Sequence, residues 1–231
     1  MKKLLEMLAQ LVFPHTCVIC GTNELISTNG ICRACIWNLP ATSFLTLENN
    51  EVEKIFWGRL PVTHAAAATY FTHKSAVQKA LHQIKYGHRK DAGLQLGRWM
   101  GIQLMQSHWW KEIDWVLPMP IHASRRARRG YNQAELLCQG IGEQTGMVVR
   151  NELLERVKSG HSLTTQHRVQ RWQAMREVFA VRDPAALENR HVLLVDDVVT
   201  TGATLEAMGE KILACRNTRL SIYCFAYTLP N

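Results

Sequence analysis

Two adjacent carboxylates, Asp196 and Asp197, precede a short run of hydroxyl-bearing and small residues: Thr200, Thr201, Gly202, Ala203 and Thr204. Hydroxyl and backbone N–H donors beside a glycine can surround a phosphate, because glycine lets the backbone approach closely. The carboxylates cannot serve that phosphate, since like charges repel. They suit the hydroxyls of a ribose, or a Mg²⁺ held through those hydroxyls. The elements that must position these groups flank them directly. Val192-Leu193-Leu194-Val195 reads as a strand buried on both faces, ending where the aspartates begin. Leu205 to Leu213 has helical periodicity, and the N-terminus of a helix offers unpaired N–H groups and a favourable dipole to an anion. Open α/β sheets bind ligands beyond the carboxyl ends of their strands. The order strand, acidic pair, hydroxyl-rich loop and helix therefore reads as a site for a phosphorylated sugar.

A plain strand capped into a helix would account for one Asp and one Thr, not for the whole run. The acidic strand end of a P-loop NTPase is excluded, because no G-x-x-x-x-G-K-[ST] occurs in the chain. From Val192 to Thr204 the stretch resembles the PRPP-binding signature of type I phosphoribosyltransferases (PRPP, 5-phosphoribosyl 1-pyrophosphate).

A second cluster lies near the start of the chain. Cys17, Cys20, Cys32 and Cys35 form two C-x-x-C knuckles, and Gly21 and Gly30 permit tight turns. Four thiolates so spaced can surround a tetrahedral, closed, structural Zn²⁺. Such a metal would supply much of the folding free energy of a small module, ~10–16 kcal/mol in zinc-finger peptides. A redox motif would explain one pair, not two. His15 reads as a flanking residue. Cys138, Cys215 and Cys224 lie in apolar contexts and read as buried core.

The third feature is cationic. Pro118-Met119-Pro120 ends a short strand, and Arg125, Arg126, Arg128 and Arg129 follow in a loop before a helix that begins near Asn132. Arginine forks suit phosphate oxygens bidentately, so pyrophosphate or a nucleic-acid backbone fits equally well. Upstream, Ser75 caps a helix through Ile84 that runs into Lys85-Tyr86-Gly87-His88-Arg89, with Gly87 as a C′ residue. A second helix is predicted from Asp91 to Ser107, and residues 36–60 read as a connector. Gly160 and its Ser/Thr neighbours suggest a mobile loop, with a basic helix or lid beyond it through Arg168, Arg171 and Arg176.

The 231 residues suffice for one α/β domain plus a small appendage. A net charge of +8 favours anionic partners without selecting among phosphates, nucleic acid and acidic membranes. Glu6, Gln10 and Pro14 interrupt the apolar N-terminus, which reads as an amphipathic helix rather than a signal peptide. No apolar run approaches the ~20 residues of a transmembrane helix. Paired cysteines that suggest metal rather than disulfides point to a reducing, cytoplasmic setting. Alternating strands and helices imply a mainly parallel sheet. Residues 1–45 are expected to form an N-terminal helix and a four-cysteine zinc module, and residues 60–231 the larger domain.

The cysteine pairs, the segments Lys85–Arg89 and Pro118–Ala134, and the Asp-Asp-Val-Val-Thr-Thr-Gly-Ala-Thr run stand in one order that resembles the ComF/GntX family of phosphoribosyltransferase-like competence and DNA-utilisation proteins. Gln166, Arg171 and Phe179 also fall where that family has such residues. The resemblance implies a type I phosphoribosyltransferase fold, a mainly parallel sheet flanked by helices, behind a small zinc-ribbon-like module. It implies a role in uptake or intracellular use of external DNA, in some relatives alongside a helicase. On this reading PRPP or a phosphoribosylated nucleotide is bound with Mg²⁺. Asp196 and Asp197 hold the ribose, and residues 200–204 the 5′-phosphate. The arginines, with Lys85 and Arg89, take pyrophosphate, and Gln166 and Arg171 belong to a lid. The competing reading is a single-stranded-DNA module that kept the fold and uses the arginines, with aromatic stacking from some of its seven tryptophans.

Overall fold

A computed structural model of the chain describes residues 16–23, 30–158 and 178–229. The expected helix over residues 1–14, His15, and the lid positions Gln166 and Arg171 lie outside the described residues. The first half contains α1 (Arg33–Trp37), α2 (Glu51–Phe56), β1 (His64–Phe71), α3 (Ala76–Tyr86), α4 (Lys90–Leu104), β2 (Trp115–Pro118) and α5 (Ala123–Arg129). The second half contains α6 (Gln133–Thr145), β3 (Val148–Val149), β4 (Leu154–Arg156), β5 (Phe179–Val181), α7 (Pro184–Leu187), β6 (His191–Val199), α8 (Ala203–Leu213) and β7 (Arg219–Thr228).

Five strands form one sheet in the order β1-β7-β6-β2-β3, and every neighbouring pair is parallel. All strand ends of one kind therefore lie at one edge. The central strands are apolar because both faces are covered. Tyr223 and Phe225 of β7 face α4, the first bonding its hydroxyl to the Met100 carbonyl and the second meeting Trp99 edge to face. Leu220 lies on the opposite face, where its tip would touch a side chain placed at Gly209 of α8. On the first face α4 and α6 pack backbone against backbone, through Gly97 and Gly140.

Several local expectations change. Asp196 and Asp197 do not end β6; the strand runs through them to Val199, paired with β7 along that length. Neighbouring β2 stops earlier, its last pair being Pro118 with Val195. Met119 still donates to the Val195 carbonyl at 2.8 Å, but Pro120 has no N–H and cannot continue the ladder. The aspartates thus stand on a step, projecting past the end of one neighbour. The arginine-rich segment, read as a loop, is helix α5, started by His122, whose Nδ1 accepts from the Ser124 N–H at 3.2 Å. The predicted helix from Asp91 to Ser107 ends sooner, at Leu104.

Ser75 caps α3 as expected, accepting from the Gln78 N–H. Gly87 is not left-handed; its φ is −92°, and a Cβ there would displace the Gln83 side chain, whose Oε1 would lie 2.2 Å away. The supposed connector holds α2, started by a capping box of Asn50 and Glu53. Asn50 is buried and donates to the carbonyls of Phe44, Leu47 and Ala65, which ties this segment to β1. β4 and β5 pair antiparallel as a separate two-stranded ribbon flanking the segment read as a lid.

Candidate functional site

The strand-end site is assembled from four elements. β6 carries Asp196 and Asp197, both half-buried, and Asp196 Oδ1 accepts from the Asp197 N–H at 2.8 Å. Burial, and next the charge of Asp197, push the Asp196 carboxyl well above the usual carboxylate range, while Lys85 opposes that shift. Lys85, from the last turn of α3, forms an ion pair with Asp197. A lysine far away in sequence thus already balances part of the acidic pair's charge.

Beyond β6 the chain turns at Gly202, whose φ of 73° starts α8 without any side-chain cap. Only glycine fits, since a Cβ there would lie 2.6 Å from Ile55 Cγ2 and 3.0 Å from the Phe56 ring. The first N–H groups of this eleven-residue helix are therefore left for an incoming anion. Thr200, Thr201 and Thr204 are exposed around it. Arg59, just beyond the end of α2, braces the turn: it donates to the Thr201 carbonyl at 2.9 Å and to the Ile55 carbonyl at 3.0 Å, and pairs with Glu206. Sequence reasoning missed Arg59, because nothing local distinguishes it; its role comes from a contact with residues 142 positions away.

The basic helix α5 follows the end of β2, at the same sheet edge. Its arginines are not equivalent. Arg126 pairs with Glu135. Arg129 donates to Gln133 at 2.9 Å and lies over the Tyr86 ring at 5.4 Å. Arg125 and Arg128 have no carboxylate partner among the described residues. The Arg129–Tyr86 contact joins α5 to the α3 end that carries Lys85, so the acidic pair, the α8 N-terminus and the basic helix form one constellation. Arg89 belongs elsewhere: it grips Asp91 through Nε and Nη2 and donates to the Thr16 carbonyl at 3.0 Å. It thereby fastens the cysteine module to α4, as does Gln95, which bonds both the N–H and carbonyl of Ile31 at 2.8 Å.

In that module the Sγ atoms of Cys17, Cys20, Cys32 and Cys35 all lie within 4.8 Å of one another. A tetrahedron with ~2.3 Å metal–sulfur bonds has edges of about 3.8 Å, and Cys20 and Cys32 are 3.7 Å apart. Burial pushes the Cys17 thiol up, but N–H groups of Cys20, Cys32 and Ile19 outweigh it and bring it down to about 6. Such donors stabilise a thiolate, the form a metal requires. The cluster is compatible with a structural zinc ion. Gly30 serves here by proximity rather than by a turn, since a Cβ would lie 2.7 Å from Ala92.

Residues 127–229 match the phosphoribosyl transferase domain family. The DNA utilization protein YhgH of Escherichia coli (strain K12) is 25% identical over 238 residues, covering 95% of this chain and 100% of that protein. Competence protein F of Haemophilus influenzae is 24% identical, over 86% of this chain and 90% of its own. Competence protein ComFC of Bacillus subtilis is 24% identical, over 86% of this chain and 72% of its own. Among solved structures, the glutamine PRPP amidotransferase from B. subtilis complexed with ADP and GMP matches with a TM-score of 0.45 at 18% identity, over 63% of this chain and 30% of that one.

Proposed function

Because this chain belongs to the ComF family and has the type I phosphoribosyltransferase fold, we propose that it binds PRPP or a phosphoribosylated nucleotide in the uptake or intracellular use of external DNA. The observation that carries the reading is the step at the sheet edge, where Asp196 and Asp197 project past β2 beside the open N-terminus of α8. Dipole and N–H groups there take the 5′-phosphate, with Thr200, Thr201 and Thr204 adding hydroxyls. Asp196 and Asp197 accept from the ribose hydroxyls. Arg125 and Arg128 face the pyrophosphate, and Lys85 moves from Asp197 to the ligand's anionic groups. Asp196 and Asp197 would hold Mg²⁺ through the ribose hydroxyls, and the ion would supply positive charge against a departing pyrophosphate. Gln166 and Arg171, outside the described residues, are the lid positions of this reading. The four cysteines hold Zn²⁺ in an N-terminal module, residues 1–45, ahead of the larger domain, residues 60–231. The protein works in the cytoplasm; no helix of the described residues is long and apolar enough to cross a membrane.

Titration calorimetry with PRPP and Mg²⁺ tests the reading. Binding is expected for the wild type and at least a tenfold loss for Asp197→Asn; binding that ignores this substitution contradicts it. Incubation with PRPP, Mg²⁺ and a panel of bases, with an Asp196/Asp197 double variant as control, shows whether pyrophosphate is released and to which acceptor. A second reading, single-stranded DNA on α5 with a helicase as partner, is favoured by the exposure of Arg126 and Arg128. It predicts oligonucleotide affinity that falls steeply with salt and on replacing Arg125, Arg126, Arg128 and Arg129 by alanine.

A further inference from the structure

Lys85 and Arg89 stand four residues apart on either side of one turn, and the fold sends them to different places. Lys85 reaches the strand-end site and pairs with Asp197. Arg89 reaches the cysteine module: Nε and Nη2 grip Asp91 at 3.0 and 2.7 Å, and Nη1 donates to the Thr16 carbonyl at 3.0 Å. Thr16 directly precedes Cys17, and Ile31, bonded by Gln95 on both its N–H and its carbonyl, directly precedes Cys32. The module is thus tied beside both cysteine pairs. Between them Gly30 sits so close to the start of α4 that a Cβ would lie 2.7 Å from both Ala92 and Asp91. The turn that separates the two cations holds His88 at a φ of 55°, a left-handed conformation that costs energy for a residue with a Cβ. Before the turn, Tyr131 fixes α3 by donating its hydroxyl to the Ile84 carbonyl. After the turn, the Arg89 fork does so.

We propose that Arg89 is a positioning residue: through its fork the cysteine module sets the turn that presents Lys85 to Asp197, and so couples the module to ligand binding at the strand end. A planar guanidinium can hold a carboxylate through two N–H groups and still give a third to a carbonyl, a geometry that neither an ammonium nor an amide reproduces. Without the fork the left-handed His88 can relax, and the last turn of α3, which has no further helical partners for its carbonyls, frays. Tyr131 still holds Ile84, so the contact of Lys85 with Asp197 weakens rather than vanishes. The coupling is reciprocal: a module that steadies Lys85 is itself steadied when ligand binds. The consequence for affinity rests on the PRPP reading, whereas the Lys85–Asp197 contact exists without ligand.

The carboxyl ¹³C resonance of Asp197 in the ligand-free full chain tests the contact. Lys85→Met should shift it, and Arg89→Gln should shift it the same way by at least half as much, with zinc content unchanged. Arg89→Lys, which keeps the charge and loses the fork, should behave as Arg89→Gln does. Calorimetry should then show PRPP affinity falling roughly fivefold in both Arg89 variants. The Lys85→Met/Arg89→Gln double variant should bind no more weakly than Lys85→Met alone. Transfer of zinc to a chelator should slow roughly fivefold when PRPP saturates the wild type, and not in Arg89→Gln. Arg216→Gln, which removes an exposed charge paired with Glu188, should change none of these. An Asp197 resonance unmoved in Arg89→Gln, or equal protection of zinc by PRPP in that variant, overturns the proposal. So does wild-type PRPP affinity in Arg89→Lys beside a loss in Arg89→Gln, since Arg89 would then act on the ligand by its charge. A wild-type chain that binds no PRPP refutes the ligand reading instead, and the resonance still decides whether Arg89 positions Lys85.

Discussion

Replacing Gly97 by alanine should cost about 2 kcal/mol or more, against the intrinsic preference of the helix. Alanine is normally better than glycine inside a helix by about 1 kcal/mol. Here α4 and α6 touch through their backbones. A Cβ at Gly97 would lie 2.4 Å from the Leu137 carbonyl oxygen, 2.9 Å from its Cα and 3.0 Å from Gly140 Cα. The reciprocal Cβ at Gly140 would meet the Leu94 carbonyl at 2.4 Å and the Arg98 nitrogen at 2.5 Å. No side chain can swing aside, so the helices must part. That would loosen Leu96, Met100 and Leu104 of α4 from Leu137, Cys138 and Ile141 of α6, all of them buried. Overpacking costs ~1–3 kcal/mol where side chains can adjust and more where they cannot. Taking ~3 kcal/mol and subtracting the propensity gain leaves about 2. With a urea m-value of ~2–3 kcal/mol/M, the midpoint should fall by roughly 0.7–1 M at constant m. Gly209→Ala is the contrast, because its close neighbours are the tips of Leu60 and Leu220, and it should cost less. An unchanged or raised midpoint for Gly97→Ala refutes the reasoning. The effect should reach the site, since α4 follows Lys85 and α6 follows α5.

Three further outcomes are expected. Gly202→Ala should weaken PRPP binding at least tenfold and destabilise the fold by ~1–3 kcal/mol, because a φ of 73° and Ile55 at 2.6 Å both oppose a Cβ; calorimetry at wild-type affinity would contradict it. His191 is 1% exposed, and burial, aided by Arg219 and His64 against Glu112 and Asp114, lowers it to about 4. The folded chain then binds fewer protons than the unfolded one between about pH 4 and 6.5. Stability is full above that window and lost as pH falls through it, by roughly 3 kcal/mol in all. His191→Gln should flatten this part of the stability–pH curve, and an identical slope would disprove the assignment. Metal analysis should find about one zinc per chain, lost in Cys35→Ser together with thermal stability; full zinc content in that variant would rule out a four-thiolate site.

The acidic pair, the threonine–glycine turn, the paired cysteines and the apolar strand before Asp196 were legible because each is a local pattern of residue types. A strand buried on both faces is apolar at every position, and a turn that admits no Cβ shows as glycine. Local pattern also misled: it ended β6 at the aspartates and read α5 as a loop. Arginine runs look alike whether solvated or helical, and a strand's last residue depends on how far its neighbours extend.

What the sequence by itself determined is the chemistry available, namely two carboxylates, hydroxyls, a cationic cluster and four paired cysteine thiols, together with the α/β alternation that carries them. Only the tertiary structure decided which charges meet. It joined Lys85 to Asp197, fastened the cysteine module through Arg89 to the Thr16 carbonyl, and braced Thr201 with Arg59. The reason is physical. Ion pairing depends on separation in space and on desolvation, and chain order specifies neither until the sheet and its helices have packed.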